Sequence, residues 1–360
     1  MFRKNFKKVS ILALIFFLLT NSASFADIEI TRLSGANRYD TAVKVNDVFI
    51  DYSSSNYAVM SNGSDFKSSL YASYMASALK APFYINGKHG ITTEVLNKLK
   101  EKRVQKVFIV GNYDLLDKSI DNTLISKGIK FIRLYDKDAI DYYYGTNYVD
   151  KLSQQVDNVL FEYFHSGEPR GDVSMLILIN ENKFPDMLSA IPFAARLMIY
   201  EKTGLTDYRG FDANNGFKFI IGGNNSVPAY MKTYMGTDAP GLNDRPWTDD
   251  NTGMLVHSYS GRIAGSNRYK TAVEIAKSYK PVLGNDVDTA VIVNGEDFPD
   301  ALTSGIAAVS TNAPILLTEP NNLNQDTKQF LKDSNIDNVV IVGGEKSVSK
   351  SVENEIRNLK

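Results

Sequence analysis

Residues 290–306 read AVIVNGEDFPDALTSGI, and this stretch has two earlier counterparts in the same chain. They are YAVMSNGSDFKSSLYAS, which starts at Tyr57, and MLILINENKFPDMLSAI, which starts at Met175. In each copy a short apolar run ends in Asn, Phe follows four residues later, and Leu follows four residues after that. Self-similarity of this kind indicates a repeat protein in which each copy builds the same supersecondary unit.

A second landmark follows each copy of the Asn–Phe–Leu motif. It is an apolar run that ends in glycine, at Gly111 in the first copy, at Gly222 and Gly223 in the second, and at Gly343 and Gly344 in the third. The ordered landmarks divide the chain into three predicted modules at residues 27–128, 129–245 and 246–360.

A third landmark opens the first and last modules. RLSGANRYDTAV begins at Arg32, and RIAGSNRYKTAV begins at Arg262. In the middle module the nearest equivalent is GTNYVDKL, which keeps Gly145, Asn147 and Tyr148 but lacks the second arginine. The middle module is therefore the divergent copy.

Strand and helix patterns alternate within each module. In the third module, TAVEIAKSY places its apolar residues at helical spacing, whereas DTAVIV, APILLT and NVVIV are continuous apolar runs. Such runs between helices are typical of parallel strands buried on both faces. We predict an α/β fold of three tandem, Rossmann- or toprim-like three-layer modules with mainly parallel sheets.

The first 26 residues have the pattern of a secretory signal peptide. A basic start precedes the apolar run 11–19, and Ser24 and Ala26 precede the expected cleavage site. Four of the 40 basic residues and none of the 41 acidic residues lie in this leader, so residues 27–360 carry 36 against 41, a net charge of −5. This charge disfavours a nucleic-acid partner. With no cysteine, an exported chain must depend on its core rather than on disulfides.

The segments GSNRYKTAVEIA, VIVNGEDFPDALTSGIAA, APILLT and VVIVGGEKSVS resemble the type 2 cell-wall-binding repeat of clostridial S-layer and wall proteins. The resemblance implies three modules packed with pseudo-threefold symmetry. It also implies non-covalent anchoring to an anionic, teichoic-acid-like secondary wall polymer, at the surface of a Gram-positive bacterium. No catalysis, cofactor, metal or membrane contact after leader cleavage is expected. Other S-layer proteins are a further candidate partner.

Arg38 and Arg268, the second arginines of the opening landmark, have two interpretations. Their guanidinium groups suit the phosphates of a wall polymer, or they hold a loop by binding backbone oxygens. The loss of this arginine from the middle module favours the structural role. The Gly343–Gly344 turn also has two interpretations, a tight strand-to-helix turn or an anion site formed by backbone amides.

The resemblance marks the segment Pro314, Ile315, Leu316 and Leu317 as a region needed for polymer binding. From the residues alone, the same segment is a buried strand that starts with proline. The first module has PFYI at 82–85 in this place, and the middle module has RLMI at 196–199. Arg196 is therefore a third candidate polymer-binding arginine, together with Arg38 and Arg268.

Two rival functions remain open. Asp297 and Asp300 could act as an acid–base pair in an enzyme that acts on wall glycan or polymer, although neither aspartate recurs in all three copies. The chain could also be a self-assembling S-layer protein. Insertions at 135–172, 200–216 and 236–253 have no assigned role, and the tyrosine-rich part at 135–145 could stack on sugars or pack on its own module.

Overall fold

The computed structural model describes residues 27–51, 56–140, 145–169, 175–234, 240–250 and 252–359. The predicted leader, residues 1–26, lies outside these ranges, as do residues 141–144 of the tyrosine-rich insertion. Within the described ranges, no helix combines the length and the apolar character that a membrane crossing requires.

The described residues form strands and helices in each of the three repeats. The strands are β1 Glu29–Leu33, β2 Tyr57–Asn62, β3 Phe83–Asn86, β4 Lys106–Val110, β5 Lys130–Leu134, β6 Lys137–Ile140, β7 Asn147–Asp150, β8 Leu176–Ile179, β9 Gly204–Asp207, β10 Phe219–Ile221, β11 Gly241–Asp244, β12 Trp247–Thr248, β13 Leu255–Val256, β14 Tyr259–Ile263, β15 Thr289–Asn294, β16 Ile315–Thr318 and β17 Asn338–Val342. The helices are α1 Arg38–Phe49, α2 Phe66–Leu79, α3 Thr93–Glu101, α4 Lys118–Ser126, α5 Leu152–His165, α6 Phe184–Glu201, α7 Arg268–Lys277, α8 Tyr279–Leu283, α9 Ser304–Ser310, α10 Gln325–Asp333 and α11 Lys350–Arg357.

Three sheets carry the fold. Their strand orders are β3-β2-β4-β5, β11-β14-β10-β8-β9 and β1-β17-β15-β16. All pairs in the first and third sheets are parallel, and in the second sheet the edge strand β11 is antiparallel. Every residue of β15 is buried, as expected for a central strand with helices on both faces. The predicted α/β class with mainly parallel sheets is confirmed.

Each sheet borrows one strand from the next repeat. The strand that opens the second repeat, β5, pairs with β4 of the first, and the strand that opens the third repeat, β14, pairs with β10 of the second. The strand that opens the first repeat, β1, pairs with β17 near the other end of the chain, with Glu29 opposite Asn338 and Leu33 opposite Val342. The exchange therefore forms a closed ring of three sheets.

The predicted limits 27–128, 129–245 and 246–360 describe the unit of sequence repetition, and they stay a prediction in that sense. Hydrogen bonding follows a different division, because β5 lies after residue 128 and completes the first sheet. In the same way, β14 lies after residue 245 and completes the second.

An arginine near the end of each borrowed strand attaches it to its host sheet. Nη1 of each arginine donates to two carbonyl oxygens, that of the glycine after the host strand and that of the residue five positions further on. The pairs are Arg32 with Gly343 and Val348 (3.0 and 2.8 Å), Arg133 with Gly111 and Leu116 (3.0 and 2.8 Å), and Arg262 with Gly222 and Val227 (2.9 and 2.8 Å). This arginine is thus a structural element of every repeat.

The three repeats also meet through their central helices. Helices α2, α6 and α9 pack on one another and are lined with small residues. At Gly305 a Cβ atom would lie 2.7 Å from Ile191 Cγ2 and from Ser77 Oγ, and 2.8 Å from Ser73 Oγ, so only glycine fits this crossing. The helices therefore approach more closely here than any larger side chain would allow.

The phenylalanines of the Asn–Phe–Leu motif lie at one end of this helix cluster. Phe66, Phe184 and Phe298 form a triangle with ring centroids 5.7 to 6.2 Å apart. The interplanar angles of 59 to 61° suit tilted aromatic contacts. The motif thus supplies one apolar contact from each repeat to a shared centre. Pseudo-threefold symmetry of the whole chain stays a prediction.

Glu353 in α11 holds β1 on the third sheet. Its carboxylate accepts a hydrogen bond from Arg32 Nε at 3.0 Å and pairs with Lys350 and Arg357, each at 3.1 Å. Burial by itself would raise the pKa of this carboxyl. The hydrogen bonds from Arg32, Arg357 and Lys350 outweigh burial and lower the pKa from 4.5 to about 2.

Replacing Glu353 with glutamine should flatten the acid limb of the stability profile. Because the folded-state pKa is depressed, the stabilisation is complete above the unfolded pKa and is lost as pH falls through the folded pKa. Between about pH 5 and pH 2, we expect the free energy of unfolding to fall by about 3 kcal/mol more in the native chain than in the Glu353→Gln variant. Urea unfolding at each pH measures this difference. Glu355→Gln, at a half-exposed pair with Lys328, is the control. Parallel profiles for Glu353→Gln and the native chain would contradict this assignment.

Candidate functional site

The recurring motifs converge at the carboxyl ends of the parallel strands. A glycine directly follows β4, β10 and β17, and its amide N–H donates to a carbonyl oxygen at the end of the borrowed strand. Gly222 donates to Ile263 O at 3.0 Å, and Gly343 donates to Leu33 O at 2.9 Å. The Asn turn of the host repeat, its glycine turn and the first residues of the next repeat therefore meet at one edge. Ligands of open α/β sheets bind outside this edge. We name the three places by the repeats they join: the first–second, second–third and third–first junctions.

The repeated asparagine shapes its own turn. Oδ1 of Asn62, Asn180 and Asn294 accepts the amide hydrogen two residues further on, at 2.8 to 3.0 Å. Asn62 Nδ2 also donates to Leu115 O, and Asn180 Nδ2 donates to Ser226 O. These contacts account for the asparagine as a turn former that joins two loops of the same repeat.

The carboxylates of the Asn–Phe–Leu motif serve the backbone and a hydroxyl. Asp65 caps α2 by accepting the amide hydrogen of Ser68, and Asp186 Oδ2 accepts a hydrogen bond from Ser226 Oγ at 2.8 Å. Asp297 is exposed and accepts the amide hydrogen of Phe298, while Asp300 lies beside the Gly343 turn. The positions of Asp297 and Asp300 thus match those of turn and cap residues in the sister repeats.

Arg38 and Arg268 lie in equivalent places and make the same contact. Nη1 of Arg38 donates to Gly63 O at 2.5 Å, and Nη1 of Arg268 donates to Gly295 O at 2.6 Å. A Cβ atom on Gly63 would lie 2.9 Å from Arg38 Cδ. Arg38 therefore holds the turn after β2, and Arg268 holds the turn after β15. This is the structural role that the sequence favoured.

The middle repeat departs from this pattern, and the equivalence predicted for its opening is wrong. Asn147 and Tyr148 lie in β7, which pairs with β6 in an antiparallel hairpin. Helix α5 begins later, at Leu152, and Asp136 Oδ1 accepts the amide hydrogen of Leu152 at 2.7 Å. Glu181 occupies the position of Gly63 and Gly295, and its carboxylate pairs with Arg209 at 3.1 Å.

The segment Pro314–Leu317 is buried. Ile315, Leu316 and Leu317 have no solvent-exposed surface, and β16 lies at the edge of the third sheet. The role in polymer binding that the resemblance implies stays a prediction, in which β16 acts by supporting the turn around Gly295. A Cβ atom on Gly295 would lie 3.1 Å from Leu317 Cβ.

The strand predicted at 196–199 is instead part of α6, and the strand equivalent to β16 in the middle repeat is β9. The apolar run RLMI belongs to the last turns of this helix. Arg196 lies twelve residues after Phe184, about 18 Å along the helix axis. The structure therefore does not bring Arg196 to the edge that carries Arg268.

A cavity of about 400 Å³ opens at the second–third junction. Three segments form its wall: the start of α6, the glycine turn after β10, and the loop that leads into α7. Its lining residues are Lys183, Pro185, Asp186, Gly223, Asn224, Asn225, Ser226, Gly265, Ser266, Asn267, Arg268 and Thr271. Arg268 was predicted, but Lys183 was not, although the sequence shows lysine where the sister repeats have Asp65 and Asp297.

Two cations and one carboxylate set the electrostatics of this cavity. Among the described residues, neither Lys183 nor Arg268 forms an ion pair, and the Arg268 guanidinium lies 5.8 Å from the centroid of the Phe184 ring. Burial raises the pKa of Asp186, and the hydrogen bond from Ser226 and the charges of Arg268 and Lys183 offset part of the effect. The cavity thus favours an anionic group.

The third–first junction has the same construction with different side chains. Gly343 and Gly344 form its glycine turn, and Arg38 comes from the opening segment of the first repeat. The structure therefore places Arg38 with Gly343 and Gly344 at one junction and Arg268 at another. The candidate arginines and the candidate glycine turn therefore do not form a single cluster.

Ion pairs occupy the first–second junction. Lys67 Nζ lies 2.7 Å from Asp136 and 2.8 Å from Glu181, and Glu181 also pairs with Arg209 at 3.1 Å. Tyr71, which is fully buried, donates its hydroxyl to Glu181 at 3.3 Å. This junction is closed by contacts between the first and second repeats.

The histidines lie in unrelated surroundings. His89 pairs with Asp117, His257 pairs with Asp244, and the buried His165 contacts Met198 O at 2.8 Å. The described part of the chain contains no group of three His, Cys, Asp or Glu side chains placed to hold a metal ion.

Three strand-sharing sheets and a ligand-sized cavity where two repeats join define a tandem α/β repeat protein. The family model of cell wall binding domain 2 matches residues 32–121 and 262–353, which lie in the first and third repeats and cover half of the sequence. The chain therefore belongs to the cell wall binding domain 2 family. The resemblance inferred from the motifs is confirmed.

Curated relatives include two proteins of Bacillus subtilis (strain 168). N-acetylmuramoyl-L-alanine amidase LytC is 23% identical over 99% of this chain and 63% of its own length. The amidase enhancer is 38% identical over 27% of this chain and 13% of its own length. The chain therefore spans less than two thirds of either relative.

Solved structures with the same fold include two proteins from Clostridium difficile. Cwp6 has a TM-score of 0.68 and 18% identity, over 92% of this chain and 48% of its own. Cwp8 has a TM-score of 0.66 and 17% identity, over 97% of this chain and 55% of its own. These likenesses show the fold.

Proposed function

We propose that this chain anchors non-covalently to the cell wall by binding an anionic secondary wall polymer at the edge where repeats join. The observation that carries this proposal is the cavity at the second–third junction, where Lys183 and Arg268 lie together without an ion-pairing carboxylate among the described residues. Membership of the cell wall binding domain 2 family supports the wall as the target. A teichoic-acid-like polymer supplies the anionic groups.

Arg268 serves both the fold and the ligand in this proposal. One of its N–H groups is bound to Gly295 O, while the side chain is exposed at the cavity wall. A guanidinium group held in this way can present its remaining donors to a phosphate. Arg38 and the Gly343–Gly344 turn hold the equivalent positions at the third–first junction.

The proposal includes export and excludes catalysis. The leader pattern of residues 1–26 directs the chain through the membrane of a Gram-positive bacterium to its wall, where S-layer proteins are neighbours. Asp297 and Asp300 occupy positions where the sister repeats use capping and turn residues, so we assign them no acid–base role. The amidase name belongs to a relative of which this chain covers 63%.

The chain from residue 27 onward is expected to sediment with purified Gram-positive walls. Walls from which hydrofluoric acid has removed the phosphodiester-linked polymer should retain at least about tenfold less protein, because the anionic partner is gone. Raising the salt concentration should release bound protein from intact walls.

Equal binding to intact and stripped walls would overturn polymer anchoring. Measured wall turnover by the native chain that is abolished by Asp300→Asn would overturn the non-enzymatic assignment. Mock-treated walls, which are handled in the same way without hydrofluoric acid, control for a loss of binding caused by handling rather than by polymer removal.

A further inference from the structure

We infer that the second–third junction is the single anion-binding site of this chain, and that Lys183 is the residue that distinguishes it from the other two junctions. This inference rests on the proposed function, since it names which part of the edge binds the polymer. The ligand that it specifies is one anionic group of the polymer, a phosphodiester or a carboxylate.

Equivalent positions carry opposite charges in the three junctions. The residue before the motif phenylalanine is Lys183 at the second–third junction, Asp65 at the first–second and Asp297 at the third–first. The residues after the glycine turn are Asn224 and Asn225 in the middle repeat, whereas the third repeat has Glu345 at the first of these positions. The second–third junction has therefore exchanged acidic side chains for a lysine and neutral amides.

The third–first junction keeps an arginine, but more of its equivalent positions are acidic. Arg38 and Lys346 are its cations, and Asp297, Asp300 and Glu345 are its carboxylates. Carboxylates outnumber cations there, whereas cations outnumber carboxylates at the second–third junction. An anion is favoured in the second case and repelled in the first.

Among the described residues, the two cations placed at the first–second junction, Lys67 and Arg209, are both ion-paired. Its lysine, Lys67, lies between Asp136 and Glu181 at 2.7 and 2.8 Å. Asp136 stands where the other two junctions have Gly35 and Gly265. A ligand anion at this junction would have to displace a partly buried carboxylate from its lysine.

The cavity of about 400 Å³ at the second–third junction agrees with these charges. Its one carboxyl, Asp186, is engaged by Ser226 Oγ at 2.8 Å, and its pKa is raised by burial. The two cations of the lining therefore outnumber its single carboxylate. Charge, space and the lack of internal ion pairs among described residues point to the same junction.

Titration calorimetry with a synthetic glycerol-phosphate hexamer tests the site, with a galacturonate trimer as the carboxylate probe. We expect one binding site per native chain and at least about tenfold weaker binding after Lys183→Asp, which introduces the side chain of the sister repeats. Lys332→Asp, at an exposed lysine of α10, makes the same charge change elsewhere and should leave binding unchanged.

The converse variant should create a second site. Asp297→Lys with Glu345→Asn gives the third–first junction the lysine and the first amide of the second–third junction, so the stoichiometry should rise from one to two. A native stoichiometry of two or three, or unchanged binding after Lys183→Asp, would overturn the single-site inference. If Lys183→Asp still sediments with intact but not stripped walls, anchoring stands and this inference falls. If the native chain shows no polymer-dependent sedimentation, the proposed function falls.

Discussion

Replacing Arg262 with methionine is expected to lower the free energy of unfolding by about 3 kcal/mol or more. Arg262 is fully buried and donates to four carbonyl oxygens, those of Gly222, Val227, Pro228 and Met231, at 2.8 to 3.3 Å. Methionine fills similar space but has no hydrogen to donate, so these buried carbonyls would lose a partner. Urea unfolding followed by circular dichroism measures the change.

Two further variants make this expectation specific. Arg245→Met removes an exposed arginine from the connection between β11 and β12 and should change stability by less than about 0.5 kcal/mol. Arg262→Lys should fall between the two, because a single ammonium group cannot match the fork of a guanidinium. A stability loss after Arg262→Met no larger than that after Arg245→Met would refute the role of Arg262 as the attachment of β14.

The sequence analysis missed the role of the first arginine in the opening landmark. RLSGANRYDTAV contains both Arg32 and Arg38, and the charge of Arg38 beside a helix start made it the ligand candidate. Arg32 and its equivalents, Arg133 and Arg262, hold the borrowed strands, and they occur in all three repeats. The carbonyl groups that their Nη1 atoms bind lie 17 to 316 residues away in the chain, and no local pattern indicates which sheet a strand joins.

Continuous apolar runs predicted the parallel sheets correctly where glycine or proline bounded them, as in β15 and β17. The same reasoning failed at RLMI, because a short apolar run inside a buried helix is indistinguishable from a buried strand by periodicity. Helix α6 is apolar on nearly all sides since it packs against two other central helices. The apolar composition of α6 therefore reflects its burial among other helices, which the local sequence does not reveal.

The candidate site shows the same division between local and tertiary information. The sequence placed Arg268 at a junction of modules, but Lys183 becomes notable only when the edge brings the two side chains to one cavity. Lysine at the start of a helix is by itself ordinary. Its meaning comes from comparison with Asp65 and Asp297 once the three turns are known to be structurally equivalent.

A chain that lacks residues 1–33 is expected to lose the third sheet as a stable unit, although the deleted strand is more than 300 residues from its partner. The deletion removes the buried side chains of Ile28 and Leu33, and burial of two such residues contributes about 3 to 6 kcal/mol. It also removes Arg32 from Gly343 O, Val348 O and Glu353. Hydrogen exchange should therefore accelerate in β15, β17 and α11 while β2 and β4 stay protected.

The matched control is a chain that lacks residues 1–26, since it also lacks the leader but keeps β1. A synthetic peptide of residues 27–35 should restore exchange protection to β17 when it is added to the shorter chain, because the peptide can take the vacant edge in the native register. If the shorter chain retains full protection in β17, the ring is not closed by β1. If protection is instead lost equally in all three sheets, the three repeats unfold as one cooperative unit, and the first sheet requires β1 as much as the third sheet does.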